Sequence, residues 1–267
     1  MGIILAFVSI KGGVGKTSIA LETASSLAND FGKKVLLVDG NFSAPNIGLY
    51  LDLTSDVTLH DALLGVGLHN AIYEAHGFDV VPAALNYNHE VDVFGLKKLL
   101  AKMKPRYDFI ILDSSPNYEE LKPIIAAADK IFIVTTPDDV TLTTSLKAAR
   151  LARQKKTPVV GIIVNRIRSP RHEMNLSEIE KKSNIPVLAK IKEHKKMAEA
   201  LFHKKPITIH DWRNTISKEI RRFASALCGV PEEPSGFFQR FLPFRKLIGK
   251  EKVNREMIRG EFYKEVL

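Results

Sequence analysis

Short unbroken apolar runs punctuate the chain at residues 3–9, 35–39, 79–81, 109–113, 130–135, 159–165 and 187–191. Several are continuous Ile/Val/Leu, the pattern of strands covered on both faces of a parallel sheet. Between them, apolar positions recur at helical spacing and predict helices over 16–30, 93–102, 118–128, 140–155, 173–182, 194–203 and 212–227. This alternation predicts an α/β fold, a doubly wound and mostly parallel sheet with helices on both faces. The pattern breaks at Gly229-Val-Pro-Glu-Glu-Pro-Ser-Gly236, where two prolines and two glycines in eight residues read as a linker. The chain therefore divides into a domain of residues 1–228, a linker of 229–236 and a tail of 237–267.

With 45% hydrophobic, 8% aromatic and 26% charged residues over 267 positions, the chain can bury a sizeable core, which excludes global disorder. Its one cysteine, Cys228, excludes disulfide scaffolds, Cys-rich zinc modules and Cys-ligated iron–sulfur clusters within a single chain. No positively charged leader precedes the run at 3–9, and no stretch reaches the ~18 apolar residues of a membrane span, so a cytoplasmic protein is expected. The net charge of +9 is uneven: residues 1–140 carry 11 Lys/Arg against 17 Asp/Glu, and residues 141–267 carry 28 against 13. A basic C-terminal half reads either as attraction to phospholipid or nucleic acid, or as a plain solvated surface rich in Lys and Glu.

The strongest chemical signal is Lys11-Gly-Gly-Val-Gly-Lys-Thr17, which follows an apolar strand and opens a helix. Gly12, Gly13 and Gly15 let the backbone turn tightly and aim its N–H groups inward, with Val14 and Ser18 adding to the loop's contacts. The positive end of the helix dipole completes a nest suited to a di- or triphosphate. Lys16 can reach the outer phosphates and the Thr17 hydroxyl can ligate Mg²⁺.

The lysine that opens this loop, together with the glycines, resembles the deviant Walker A motif of the MinD/ParA family of P-loop ATPases. In that family the early lysine reaches across an ATP-sandwiched dimer to the partner's phosphates. The resemblance therefore implies ATP and Mg²⁺ as cofactors, a nucleotide-dependent homodimer, and catalytic roles for both Lys11 and Lys16. A solvated loop lysine is the alternative reading of Lys11. Val35-Leu-Leu-Val-Asp-Gly-Asn41 ends where the family places the Asp-x-Asp of its first switch. Asp39 matches the first aspartate and would share Mg²⁺ with Thr17 and Asp113, whereas Asn41 replaces the second. An amide orients water but supplies no negative charge, so slow or partner-stimulated hydrolysis is expected. Ser43-Ala-Pro-Asn-Ile-Gly48 resembles the rest of that switch, and Phe109-Ile-Ile-Leu-Asp-Ser-Ser-Pro116 the second switch, with Asp113 as its Walker B carboxylate. An N-cap for the following helix is the other reading of Asp113. Asn165, followed by Arg166, resembles the asparagine that reads the adenine edge, although Asn also suits a turn. Pro206 and Ile207 fit the family's later segment beside the base. The resemblance covers roughly residues 1–228.

In the tail, Phe237, Phe241, Phe244 and Ile248 fall in one stripe at helical spacing; Phe238 lies in the same segment, and Arg240 and Arg245 flank the stripe. Basic and aromatic residues so arranged describe an interfacial membrane anchor, and the segment resembles the membrane-targeting helix of the MinD branch. Docking on the protein's own body or its dimer partner, or contact with nucleic acid, are the alternatives. The expected function is a MinD-like ATPase whose ATP-bound dimer attaches to the anionic inner face of the cell membrane. There it positions a division, motility or polar assembly with a protein activator or cargo, and hydrolysis releases it. Two rivals stand beside it: a ParA-type DNA-segregation ATPase that holds duplex DNA through its phosphates, and a nucleotide-binding adaptor with negligible turnover.

Overall fold

The structure is a computed structural model that describes residues 2–87, 91–168 and 171–230. The linker beyond Val230 and the tail residues Phe237, Phe238, Arg240, Phe241, Phe244, Arg245 and Ile248 lie outside the described residues.

Eight strands form one sheet: β1 (Ile3–Val8), β2 (Val35–Val38), β3 (Tyr73–Ala75), β4 (Phe78–Val81), β5 (Phe109–Leu112), β6 (Lys130–Thr135), β7 (Val159–Ile167) and β8 (Val187–Lys192). Their order is β3-β4-β2-β5-β1-β6-β7-β8, and every pairing is parallel except that of the edge strand β3 with β4. β1 lies near the middle, with Leu5 opposite Ile111 on one side and Lys130 on the other. Because helices cover both faces of the sheet, alternate side chains feed two separate cores. Leu5, Phe7, Leu37 and Ile111 pack under the helices Lys16–Asn29 and Thr215–Leu227. Ile4, Ala6, Leu36 and Ile110 pack under the helices Leu96–Met103, Tyr118–Ala127 and Asp139–Gln154. On the first side Phe7, Phe132 and Phe223 form an aromatic knot, with ring centroids 5.1–6.3 Å apart.

Where the observed elements differ from expectation, capping explains most of the difference. The helices expected from 173 and 212 begin instead at Leu176 and Thr215, because the side chains of Asn175 and Asn214 accept the N–H groups of Glu178 and Ile216. The helix after β5 is capped by Asn117, which leaves Asp113 free of that duty. β3 and the short turns Ile47–Tyr50, Leu59–Asp61 and Ile207–His210 are too brief to show a period. β7 runs to Ile167 because its pairing with β8 shifts register between Val164 and Ile167. Among the described residues, no helix is long and apolar enough to cross a membrane.

Candidate nucleotide site

The loop from Ser9 to Thr17 leaves the C-terminal end of β1, between β5 and β6. The Ser9 hydroxyl, 2.9 Å from that of Ser145, accepts the N–H of Lys11 at 3.2 Å. This ties the start of the loop to the helix Asp139–Gln154. Gly13 and Gly15 sit at φ +78° and +90°, where a β-carbon is strained. At Gly15 a β-carbon would also lie 2.4 Å from Asn165 Nδ2. Asn165, two residues before the end of β7 and only 7% exposed, donates from Nδ2 to the Val14 carbonyl at 2.8 Å. Thus the loop's turn is pinned by the residue expected to read the base. Lys16 is buried, and desolvation lowers its pKa against the opposing pull of Asp113. Lys11, Gly12 and Gly13 are exposed at the rim, where a cleft of about 400 Å³ opens toward Thr136, Asp138 and Arg166.

The carboxylates sit deeper. Thr17 donates its hydroxyl to Asp113 Oδ2 at 2.6 Å, while Asp113 Oδ1 is buried with no hydrogen-bond partner. An orphaned carboxylate oxygen is costly to bury, and with a hydroxyl beside it forms the hard-oxygen set that Mg²⁺ takes. Asp39 is fully buried and fully committed: its Oδ1 accepts the N–H of Asn41 at 3.1 Å, and its Oδ2 those of Asn46 and Ile47 at 3.0 Å each. Burial, and for Asp39 the nearby Asp113 carboxylate, push both groups well above the usual carboxylate range. Thr17 and Asp113 present oxygens that fit a metal ion, while Asp39 holds the N–H groups of Asn41, Asn46 and Ile47. Asn41 donates from Nδ2 to the Ala44 carbonyl, leaving its Oδ1 buried and unpartnered. That oxygen can accept a hydrogen bond from water.

The remaining expected residues fall around this centre. Ser18 is half-buried in the first turn of the loop's helix, and Arg166 is exposed beside Asn165 at φ +56°, a conformation that costs energy for any residue with a β-carbon. Ser114 ties the second switch to the Phe7 carbonyl at 2.9 Å. Pro206 is buried, and the Ile207 side chain belongs to the core, so Ile207 has only its backbone to offer a ligand. Its N–H is already bound by Glu22 at 2.8 Å. Glu22 and Lys204 were not anticipated. The one available signal was a carboxylate three residues from Ile19, on the buried stripe of the loop's helix.

Known proteins resemble this chain in sequence and fold. The family model described as CobQ/CobB/MinD/ParA nucleotide binding domain matches residues 5–207. An uncharacterized ATP-binding protein of Methanocaldococcus jannaschii is 29% identical over 234 residues, 85% of this chain and 89% of that protein. The septum site-determining protein MinD of Bacillus subtilis is 28% identical over 243 residues, 86% of this chain and 90% of that one. Among solved structures, MinD of Pyrococcus horikoshii complexed with Mg-ADP matches with a TM-score of 0.79 and 26% identity, covering 84% of this chain and 95% of that one. The chain therefore belongs to the CobQ/CobB/MinD/ParA family of nucleotide-binding domains.

Proposed function

We propose that this protein is a MinD-like, Mg²⁺-dependent ATPase that works as a spatial switch. The observation that carries the reading is the pairing of the Thr17 hydroxyl with Asp113, whose second oxygen is buried and unpartnered beneath a pinned phosphate loop. Backbone N–H groups of residues 12–18 and the Lys16 ammonium would hold the triphosphate, and Thr17 and Asp113 would hold Mg²⁺, which supplies charge neutralisation at the phosphates. Asn165 and Arg166 would meet the base, with Pro206 at its edge. The Asn41 amide would orient the water that attacks the γ-phosphorus as the bond to the ADP oxygen breaks. Lys11, exposed at the rim, is free to reach a second copy's nucleotide and stabilise the charge on the transferring phosphoryl group.

In this reading two chains join around ATP, and the doubled tails attach to an anionic membrane. A single short anchor binds weakly, and pairing two of them makes attachment depend on the nucleotide. Hydrolysis separates the chains and releases them. The assembly being positioned belongs to division, motility or a cell pole. Liposome co-sedimentation of the full chain and of a truncation at Pro234, with ADP and with a non-hydrolysable ATP analogue, tests this. Pelleting that needs the analogue and is lost on truncation is the expected result. Pelleting indifferent to nucleotide contradicts the switch, and salt-sensitive DNA binding without lipid binding favours the ParA-type alternative.

A further inference from the structure

The connection between the helices Lys195–Phe202 and Thr215–Leu227 is fastened at two places. The first is Glu22, 1% exposed, on the loop's own helix. Its Oε1 accepts the Ile207 N–H at 2.8 Å, and its Oε2 accepts the Thr208 N–H at 3.1 Å and the Thr208 hydroxyl at 2.9 Å. The Ser25 hydroxyl lies 2.8 Å from the same Thr208 oxygen, and Ser217 donates to the Ile207 carbonyl at 3.1 Å. A buried carboxyl without a cation is expensive to keep, and among the described residues no ion pair offsets Glu22. Its contribution is this set of three hydrogen bonds.

The second fastening is Lys204, held at φ +56°. Its Nζ donates to the Leu49 carbonyl at 2.9 Å, and the Lys204 carbonyl lies 3.0 Å from the His76 ring nitrogen Nε2. Leu49 belongs to the turn Ile47–Tyr50, whose first N–H is held by Asp39. A continuous chain of direct contacts therefore runs from the loop's helix, through Glu22, residues 204–208 and Leu49, to the Asp39 switch, without passing through the nucleotide.

We propose that residues 204–208 are a strap by which the phosphate-loop helix holds the first switch, with Glu22 as its anchor and Lys204 as its tip. Both are positioning residues for the nucleotide reaction, and the inference rests on the switch reading above. When the switch rearranges around a γ-phosphate, the strap must move with it. Trp212, the chain's one tryptophan, lies just beyond the strap, 58% exposed with the Arg213 guanidinium 4.6 Å from its ring, and so reports that movement.

The test uses the full chain with Mg²⁺ and either ADP or a non-hydrolysable ATP analogue. Calorimetry measures each affinity, and Trp212 emission reads the strap. In the wild type the analogue shifts the emission and ADP does so less. Lys204→Met, an exposed substitution that spares the core, abolishes the difference and lowers the analogue-over-ADP affinity ratio about fivefold, the size of one net hydrogen bond. Glu22→Gln acts in the same direction, and the double variant is no worse than the stronger single one, since both cut one path. Bound analogue with an unchanged emission difference and affinity ratio in Lys204→Met overturns the strap while leaving the ATPase reading intact. So does bound analogue with silent Trp212 in the wild type. Failure of the wild type to bind either nucleotide overturns both.

Discussion

Asn41 is the residue on which the rate of the proposed reaction turns. Its amide is held by the Ala44 carbonyl at one end and leaves a bare oxygen at the other, a geometry that orients water without adding charge. Asn41→Asp supplies the missing charge and is expected to raise single-turnover hydrolysis. It also removes the donor to Ala44 and sets a third acid near Asp39 and Asp113, at a stability cost of about 1–3 kcal/mol. No gain in turnover, in protein still folded at the assay temperature, contradicts the water-orienting role.

Glu22 makes a second prediction at this scale. Burial pushes its carboxyl up to about 7, against the hydrogen bonds from Ile207 and Thr208. Because the folded pKa lies above the unfolded one, the group's stabilising contribution is present below its ordinary pKa and is lost as pH rises through about 7. Chemical unfolding between pH 5 and 8 should show the wild type losing stability relative to Glu22→Gln. Parallel curves contradict the shift.

Among the elements, β1, β2, β5, β6 and β7 were legible because each is a buried apolar run, and the helix after the loop because the glycines and Lys16-Thr17 mark where it starts. β3 was not, since Tyr73-Glu74-Ala75 is too short to establish a period and its place is set by antiparallel pairing with β4 and by the Tyr73 hydroxyl on the Val57 backbone. The site's membership was legible for the same reason as its strands, because Asp39, Asp113 and Asn165 stand near or just past strand ends. Their partners were not. That Asp39 spends both oxygens on switch N–H groups, or that Asn165 grips Val14, depends on contacts across 7 to 151 residues of chain that no local pattern encodes. The Asn165 grip predicts that Asn165→Ala frees the Val14 carbonyl, loosens the loop and weakens ATP-analogue binding about tenfold, the cost of one buried group left unpaired. Calorimetry on the folded variant checks this, and unchanged affinity would show that the loop holds its own shape.

At the scale of the whole molecule, the charge is divided as the proposed job requires. The acidic half carries Asp39 and Asp113, while the basic half contains the Phe-rich segment proposed to meet lipid. Lys11 is exposed at the rim and Lys16 is buried, so in the proposed switch Lys16 would serve the chain's own nucleotide and Lys11 a neighbour's. A lone chain would use only Lys16. Everything proposed about attachment and release follows from whether the triphosphate brings two chains together. Light scattering on the full chain, in saturating Mg²⁺ with a non-hydrolysable ATP analogue and then with ADP, measures this directly. A doubled mass with the analogue that reverts to a single chain with ADP, and that Lys11→Ala prevents, is the predicted result. A single-chain mass in both nucleotides at high protein concentration would contradict it.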